Sequence, residues 1–213
     1  MTDFSRRPIA SRKSGWAGRA AKWLAATDVT PNQISIASVG FAALAFLAFW
    51  RSAHVPALPR AILLIIAAGG SQLRLICNLL DGMVAIEGGK KSATGPFWNE
   101  APDRVADMLI LVGLGLAAGA PGHGWAAAAL AVLTAYVREL GRAEGLPPDF
   151  GGPLAKPQRM ALVTGGAVIG IIWPGMLIWV LALLIAGTAL TAALRARRLV
   201  LALQGRGGPG SVD

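Results

Sequence analysis

The sequence predicts an all-α polytopic membrane protein with six transmembrane helices and an N-terminal amphipathic helix at the membrane interface. Hydrophobic residues make up 54% of the 213 residues and charged residues only 15%, whereas a soluble domain usually carries about 25% charged residues. Apolar runs recur along the whole chain, separated by short polar or glycine-rich stretches. The single cysteine, Cys77, excludes an internal disulfide and indicates no particular redox compartment.

The first element is an amphipathic segment at about residues 14–27. Trp16 and Trp23 lie on one side of this segment at helical spacing, and basic residues lie on the other. Such a helix is expected to lie in the interface, with its tryptophans at headgroup depth. A Thr-Pro-Asn sequence then interrupts the chain, and either Thr30 or Asn32 is suited to cap the helix that follows.

Six apolar runs predict six spans, since a span needs about 20 apolar residues. The runs cover residues 34–50, 60–86, 103–120, 124–141, 159–174 and 175–199. The second and sixth are long enough to project beyond the bilayer, and the fourth and fifth are rich in small residues that allow close helix packing. The expected organisation is a cytoplasmic segment with the amphipathic helix, a transmembrane domain and a flexible tail, at residues 1–30, 31–203 and 204–213.

The distribution of basic residues predicts the orientation. The net charge is +9, from 20 Lys and Arg against 11 Asp and Glu. The basic residues cluster near both termini and in the connections after the second and fourth runs, while the connections after the third and fifth runs carry none. Both termini and these polar loops are therefore expected in the cytoplasm of a cell with a bacterial inner membrane. No nucleic-acid-binding motif accompanies the charge, so a nucleic-acid partner is not expected.

The stretch from Asn78 to Asp107 carries the candidate site. Asn78 and Asp81 share one face of a helix, and Asn99, Asp103 and Asp107 share one face of the next. The short glycine-rich link predicts antiparallel neighbours that aim these oxygens at one point. A carboxylate at mid-membrane costs about 2.5–3.5 kcal/mol, so a cation is expected, and hard oxygen ligands suit Mg²⁺ or Mn²⁺. The alternative is that these polar groups only bond helix to helix.

Basic residues next to this stretch are candidates for binding phosphate. Arg138 and Arg142 end the fourth run, and Lys156 and Arg159 begin the fifth. Guanidinium groups suit the phosphate of an anionic acceptor or a lipid headgroup, while the alternative role is membrane anchoring.

Two charged residues inside the spans require partners. Arg74 lies four residues before Asn78, and helix geometry makes Asp81 or a substrate phosphate its expected anion. Asp107 lies one turn beyond Asp103, and a structural pairing with Arg104 or with a neighbouring helix is expected for it.

The spacing of these residues resembles the signature of the CDP-alcohol phosphotransferase family, D-x2-D-G-x2-A-R-x8-G-x3-D-x3-D. In this chain the same register reads Asn78-x2-Asp81-Gly82-x2-Ala85-Ile86-x8-Gly95-x3-Asn99-x3-Asp103. Every gap is kept, and the Thr-Pro-Asn sequence at residues 30–32 is similar to the one that precedes the first span in the family. The six-span layout agrees as well, so the resemblance covers nearly the whole chain.

The resemblance implies an integral membrane transferase of phospholipid biosynthesis. Such an enzyme moves a phosphoalcohol from a CDP-alcohol, often CDP-diacylglycerol, to a second alcohol and releases CMP. In the family, four aspartates hold a pair of divalent ions and the last acts as general base. Carried over, this implies Asp103 as the catalytic base, with metal ligands at Asn78, Asp81, Asn99 and Asp103. The residues implied to lie against the nucleotide are Gly82, Ala85, Gly95 and Asn32.

Three positions depart from the signature. Asn78 and Asn99 replace aspartates, and Ile86 replaces the arginine. An amide oxygen can still bind Mg²⁺ but brings no charge, so weaker metal binding and one ion instead of two are expected. The departures leave open a non-catalytic member that binds CDP-lipid or acts as a membrane scaffold, and a transporter is a third option.

The expected partners follow from the transferase prediction. They are a CDP-alcohol or CDP-diacylglycerol donor, an acceptor alcohol that the sequence does not identify, the lipid bilayer and, as an option, a second copy of the chain in a homodimer. The expected cofactor is Mg²⁺ or Mn²⁺.

Overall fold

The computed structural model describes residues 15–206, and these residues form a bundle of α-helices. The seven helices are α1 (Gly15–Ala25), α2 (Pro31–Ser52), α3 (Ala57–Glu87), α4 (Gly95–Ala117), α5 (Pro121–Ala143), α6 (Lys156–Ile172) and α7 (Met176–Gln204). Residues 1–14 and 207–213, which belong to the predicted N-terminal segment and the predicted flexible tail, lie outside the described residues.

Three of the helices, α2, α3 and α7, are long and apolar enough to cross a membrane. Helix α3 has 31 residues and α7 has 29, which at 1.5 Å per residue gives lengths of about 46 and 43 Å. Both exceed the hydrocarbon core of about 30 Å, in agreement with the prediction that they project beyond it. The other helices are shorter or less apolar. The chain is therefore a helical integral membrane protein.

Helix α2 lies at the centre of the bundle, between α3 and α4. Helix α5 packs against α4 and α7, α6 packs against α3 and α7, and α1 lies along α3. The shared core contains large side chains with no exposure, among them Phe49, Leu64, Ile110, Met160 and Leu181. Helices α4 and α5 approach closely, since a Cβ at Gly124 would lie only 2.9 Å from the Cα of Gly115. This agrees with the small-residue packing predicted for the fourth span.

The prediction that α3 and α4 are neighbours holds only near their link. They run antiparallel and touch where Asn78 meets Asp103, but along most of their length α2 separates them. Glycines on both neighbouring helices allow α2 to approach closely. A Cβ at Gly70 on α3 would lie 2.9 Å from the carbonyl oxygen of Phe41. A Cβ at Gly113 on α4 would lie 2.9 Å from the Cα of Phe46. The polar groups of α3 and α4 are therefore brought together only at the link end.

Helix α1, which the sequence predicts to lie at the membrane interface, has one buried side, where Ala17 and Ala21 pack with Met83 of α3. Its two tryptophans are exposed on the outside of the bundle. The helix after the turn is capped by Thr30, whose hydroxyl accepts a hydrogen bond from the amide of Gln33 at 3.3 Å, while the side chain of Gln33 accepts one from the amide of Thr30 at 2.9 Å. This reciprocal pattern is a capping box, and it identifies Thr30 rather than Asn32 as the cap.

Candidate functional site

Asp103 on α4 is the centre of the polar cluster. Its Oδ1 accepts a hydrogen bond from the Nδ2 of Asn78, and its Oδ2 accepts one from the Nζ of Lys156. Arg74 lies 3.3 Å from Oδ1, and Arg104 lies 3.3 Å from Oδ2. The carboxylate is thus shared by one amide and three cations from three helices. These contacts more than compensate its charge in a largely buried position.

Asp107, one turn further along α4, is held by two buried arginines. The Nη2 of Arg74 lies 2.5 Å from Oδ1, and the Nη2 of Arg159 lies 3.0 Å from Oδ2. All three side chains are at most 4% exposed. Asp107 therefore pairs with two neighbouring helices, α3 and α6, and not with Arg104, the other partner predicted for it.

The prediction that Arg74 pairs with Asp81 is wrong. Arg74 bridges Asp103 and Asp107 instead. The reason is the antiparallel register: Asn78 faces Asp103 across the helix pair, so Arg74, one turn earlier on α3, faces Asp107, one turn later on α4. Periodicity along α3 alone could not show this, because it describes one helix and not its alignment with another.

Asp81 lies on the same side of α3 as Asn78 and about one turn closer to the link, but its hydrogen bond goes to α2. Its Oδ2 accepts a hydrogen bond of 2.5 Å from the hydroxyl of Ser35 on α2. Its Oδ1 is buried and has no hydrogen-bond partner among the described residues. Ser35 was not identifiable from the sequence, because it lies 46 residues from Asp81 and outside the motif. A buried carboxylate oxygen without a donor is suited to bind a cation.

The remaining motif residues form no side-chain hydrogen bond with Asp81. Asn99 is exposed near the start of α4, Gly82 and Ala85 are half-buried on α3, and Gly95 is the first residue of α4. A Cβ at Gly95 would meet only the hydroxyl of Ser92, at 3.6 Å. The sequence therefore placed Asn78 and Asp103 together correctly, while the hydrogen bonds of the structure do not join Asn99 or Asp81 to them.

The donor set fits one divalent ion better than two. Within residues 15–206, no three Asp, Glu, His or Cys side chains converge as a metal-binding group. Asp81 offers an unpartnered oxygen, and amide oxygens can complete a coordination shell for Mg²⁺ or Mn²⁺. Asp103, in contrast, is already engaged by Lys156, Arg74 and Arg104. A cation is therefore expected at Asp81, and a second one at Asp103 would face three fixed positive charges.

A small, strongly basic cavity, of about 10 Å³, lies beside Asp107. It is lined by Arg104, Asp107, Thr134, Ala135, Arg138, Lys156, Arg159 and Arg195. Five of these residues are basic and one is acidic, so the cavity attracts anions. Arg195 enters it from α7, where its side chain donates to the carbonyl oxygens of Thr134 at 2.9 Å and Gly151 at 2.8 Å. In the sequence, Arg195 belongs to the basic cluster after the last apolar run. Its distance along the chain from the motif gave no indication that it would lie near Asp107.

The predicted pair Arg138 and Arg142 is joined by Glu139, whose carboxylate oxygens lie 2.8 Å from the Nε of Arg138 and 3.0 Å from the Nη1 of Arg142. Arg138 is buried in the basic cavity, where it lies 2.5 Å from Glu100 and over the ring of Phe150. Arg142 is 42% exposed and pairs with Glu139 at 3.0 Å. Arg142 does not line the cavity, so its part in binding an acceptor stays a prediction.

Asn32 lines a second cavity, of about 330 Å³, on the side of the α3–α4 link. The Nδ2 of Asn32 donates weakly to the hydroxyls of Ser92 at 3.4 Å and Thr94 at 3.5 Å. Lys90 closes another wall by donating to the backbone carbonyls of Thr27 and Val29. Sites for small ligands commonly have volumes of about 300–1,000 Å³. Asn32, which the family resemblance implies to lie against the nucleotide, thus lines a cavity whose volume suits a small ligand.

Solved structures of phosphatidylinositol phosphate synthase (PgsA1) from Mycobacterium tuberculosis share this fold, at 21% sequence identity to this chain. The structure with CDP-DAG bound covers 94% of this chain and 98% of its own, with a TM-score of 0.75. The complex with manganese and citrate covers 92% of each chain at a TM-score of 0.74. The apo form covers 92% of this chain and 98% of its own at 0.70. No family model and no curated protein matches the sequence.

These comparisons establish the fold. The matches cover nearly the full length of both chains, so the all-helical fold predicted from the sequence is confirmed. The chain has the fold of a phosphatidylinositol phosphate synthase, while its chemistry depends on its own site residues.

Proposed function

We propose that this chain is an integral membrane transferase of the CDP-alcohol phosphotransferase family. It transfers a phosphatidyl group from CDP-diacylglycerol to an acceptor alcohol and releases CMP, in phospholipid biosynthesis. One observation carries the proposal: Asn78 and Asp103, the first and last positions of a fixed-gap motif, bond to each other in the fold of a CDP-DAG-binding synthase. Manganese in a structure of the same synthase supports a divalent cofactor, Mg²⁺ or Mn²⁺.

The reaction is an in-line displacement at the phosphorus that stays with the lipid. The acceptor oxygen forms a bond to this phosphorus while the bond to the bridging oxygen of CMP breaks, and the leaving electron pair goes to CMP. Asp103 takes the proton of the acceptor hydroxyl. Asp81 would hold the divalent ion, with Asn78, Asn99 and Asp103 around it. That ion, when bound, offsets negative charge on the pyrophosphate and on departing CMP.

Nucleotide binding is assigned to the cavity at Asn32 and to the bare helix faces beside it. The amide of Asn32 and the hydroxyls of Ser92 and Thr94 provide donors and acceptors for a cytidine. Gly82, Ala85 and Gly95 carry no bulk, which allows the nucleotide to approach the backbone of α3 and α4.

The basic cavity is assigned to the acceptor. Arg138, Lys156 and Arg159 are each at most 8% exposed, whereas residues that merely anchor a protein at the membrane surface keep their charged ends in water. The charge of this lining suits an acceptor alcohol that carries an anionic group, or an anionic lipid headgroup, and the cavity of about 10 Å³ would have to widen to admit it. Arg74, by contrast, is bound between Asp103 and Asp107, so its proposed role is to orient Asp103. Exposed Arg142 fits the anchoring role.

The proposed topology has six spans, α2 to α7, with both termini and the site in the cytoplasm of a bacterial inner membrane. The shorter and more polar helices α4, α5 and α6 would cross beside α2, α3 and α7. Cysteines placed at Gly122 and Gly205 in a Cys77→Ala background test this, since both positions are exposed. A membrane-impermeant thiol reagent should label them from opposite sides, and labelling of both from one side would exclude the arrangement.

The activity is tested with purified protein in lipid, CDP-diacylglycerol and Mg²⁺ or Mn²⁺. CMP release is measured against a panel of alcohols with and without phosphate groups. Asp103→Asn should abolish CMP release and leave binding of CDP-diacylglycerol largely intact, because it removes the base and keeps the shape. Asp149→Asn is the matched control, since it removes a carboxylate from an exposed pair with Arg198.

A non-catalytic CDP-lipid-binding protein is the second candidate. It is favoured by the engagement of Asp103 with Lys156 and Arg74, which reduces the freedom of this carboxylate to accept a proton. Under this alternative the wild type binds CDP-diacylglycerol but releases no CMP with any acceptor, and Asp103→Asn leaves the result unchanged. The assay above therefore separates the two candidates.

A further inference from the structure

Lys156 is an unusual cation for the cytoplasmic end of a membrane helix, because it is buried against the motif. It is the first residue of α6 and is only 8% exposed. Its ammonium donates to Oδ2 of Asp103, a residue 53 positions away, and this carboxylate is its only hydrogen-bond partner among the described residues. A lysine that serves only to anchor the helix would extend into the headgroup region instead.

The other cations near Asp103 have additional partners. Arg74 also forms an ion pair with Asp107 at 2.5 Å, and Arg104 also forms one with Glu100 at 3.3 Å. Lys156 alone has Asp103 as its single ion-pair partner among the described residues. Its ammonium group therefore occupies the position at Oδ2 of Asp103 that a bound cation would otherwise take.

The amide at position 78 fits the same arrangement. Asn78 uses its Nδ2 to donate to Oδ1 of Asp103, and its own Oδ1 stays available as a neutral ligand. An aspartate at this position would place a second carboxylate against Asp103, and the two would repel unless a further cation lay between them. The amide removes the need for that cation.

We propose that Lys156 is the built-in counter-cation of Asp103 and replaces one of the two divalent ions expected from the family signature, so that the site binds a single divalent ion, at Asp81. The proposal rests on the proposed metal site of the transferase and specifies its stoichiometry. It also assigns Lys156 a positioning role, since it fixes the carboxylate that faces the acceptor cavity.

The test is a count of bound Mn²⁺ per chain, by electron paramagnetic resonance and by elemental analysis, with the full-length protein in lipid nanodiscs. The wild type should bind one ion. Lys156→Gln should bind a second ion at Asp103, with a dissociation constant at least about tenfold lower than any second binding event in the wild type, because a fixed positive charge next to the carboxylate is gone. Lys156→Arg should restore the count of one.

The matched control is Arg198→Gln. It removes one positive charge from a residue near the end of α7 whose pair with Asp149 is half-exposed and does not touch Asp103, and its count should stay at one. Thermal unfolding confirms that each variant is folded. If Lys156→Gln does not fold, the wild-type count still decides, because two ions in the wild type would overturn the inference.

The remaining outcomes separate the inference from the proposed function. Two ions in the wild type, or one ion in a folded Lys156→Gln variant, would overturn the role of Lys156 and leave the transferase proposal intact. No ion in the wild type or in any variant, together with no CMP release, would overturn the metal site and the proposed function as well.

Discussion

Replacing Asp107 with Asn should destabilise the folded protein strongly without a change of side-chain shape. Asp107 lies between Arg74 at 2.5 Å and Arg159 at 3.0 Å, and the three side chains are at most 4% exposed. Among residues 15–206, the substitution removes the only carboxylate that Arg159 contacts and one of two that Arg74 contacts. Two buried guanidinium groups then lack most of their compensating charge.

The expected loss can be worked from these contacts. With charge centres about 4 Å apart and an effective dielectric near 20, each arginine contributes about 4 kcal/mol of gross attraction. Desolvation offsets a large part of this sum, and breaking a buried pair by removing one partner typically costs about 3–5 kcal/mol. For a chain of this size, about 2–4 °C of Tm per kcal/mol gives a decrease of roughly 6–20 °C.

The measurement is thermal unfolding of detergent-solubilised protein, followed by size-exclusion chromatography with fluorescence detection. Asp149→Asn is the control, because it also removes one carboxylate from an arginine pair, but the side chains of Asp149 and Arg198 are 34% and 48% exposed. Exposed pairs contribute about 0–1 kcal/mol, so its Tm should change by only a few degrees. Equal effects of the two substitutions would refute the electrostatic account of the Asp107 cluster.

Three further substitutions test separate parts of the structure. Asn99→Asp adds a carboxylate at the exposed edge of the site, so it should lower the metal concentration for half-maximal CMP release, and an unchanged or higher value would remove Asn99 from the metal site. Gly124→Val should cost about 1–3 kcal/mol of stability by overpacking, because its Cβ would lie 2.9 Å from the backbone of α4. Gly122→Val should be neutral, because a Cβ at Gly122 would have no neighbouring atom within 4 Å. Arg195→Met should raise the KM for a phosphorylated acceptor without changing that for the donor, whereas the exposed Arg197→Met should change neither.

Those parts of the site that depend on local spacing could be predicted from the sequence. The fixed gaps of the motif and the short link place Asn78 and Asp103 within bonding distance, since the link reverses the chain and helical periodicity orients both side chains. The Thr-Pro-Asn sequence predicted a cap, and Thr30 provides it. Both signals act within one helix or across one short connection.

Contacts between distant segments could not be predicted in this way. Lys156 meets Asp103 across 53 residues, and Ser35 meets Asp81 across 46. These contacts depend on the insertion of α2 between α3 and α4 and on the packing of α6 against α3. Periodicity shows which side of a helix is apolar, but several helices have similar apolar faces, so it does not determine which of them pack together.

The amides and the buried lysine have a common electrostatic explanation. Relative to a motif with four aspartates, Asn78 and Asn99 remove two negative charges, and the proposed loss of one divalent ion would remove two positive charges. These two changes cancel in charge, before the ammonium of Lys156 and the arginine absent at Ile86 are counted, and an uncompensated buried charge in a membrane is costly. Lys156 then neutralises Asp103, the carboxylate that this exchange would leave without a metal. On this account the two amides do not mark a degraded site: they belong to a site that exchanges one mobile dication for neutral ligands and a fixed ammonium group.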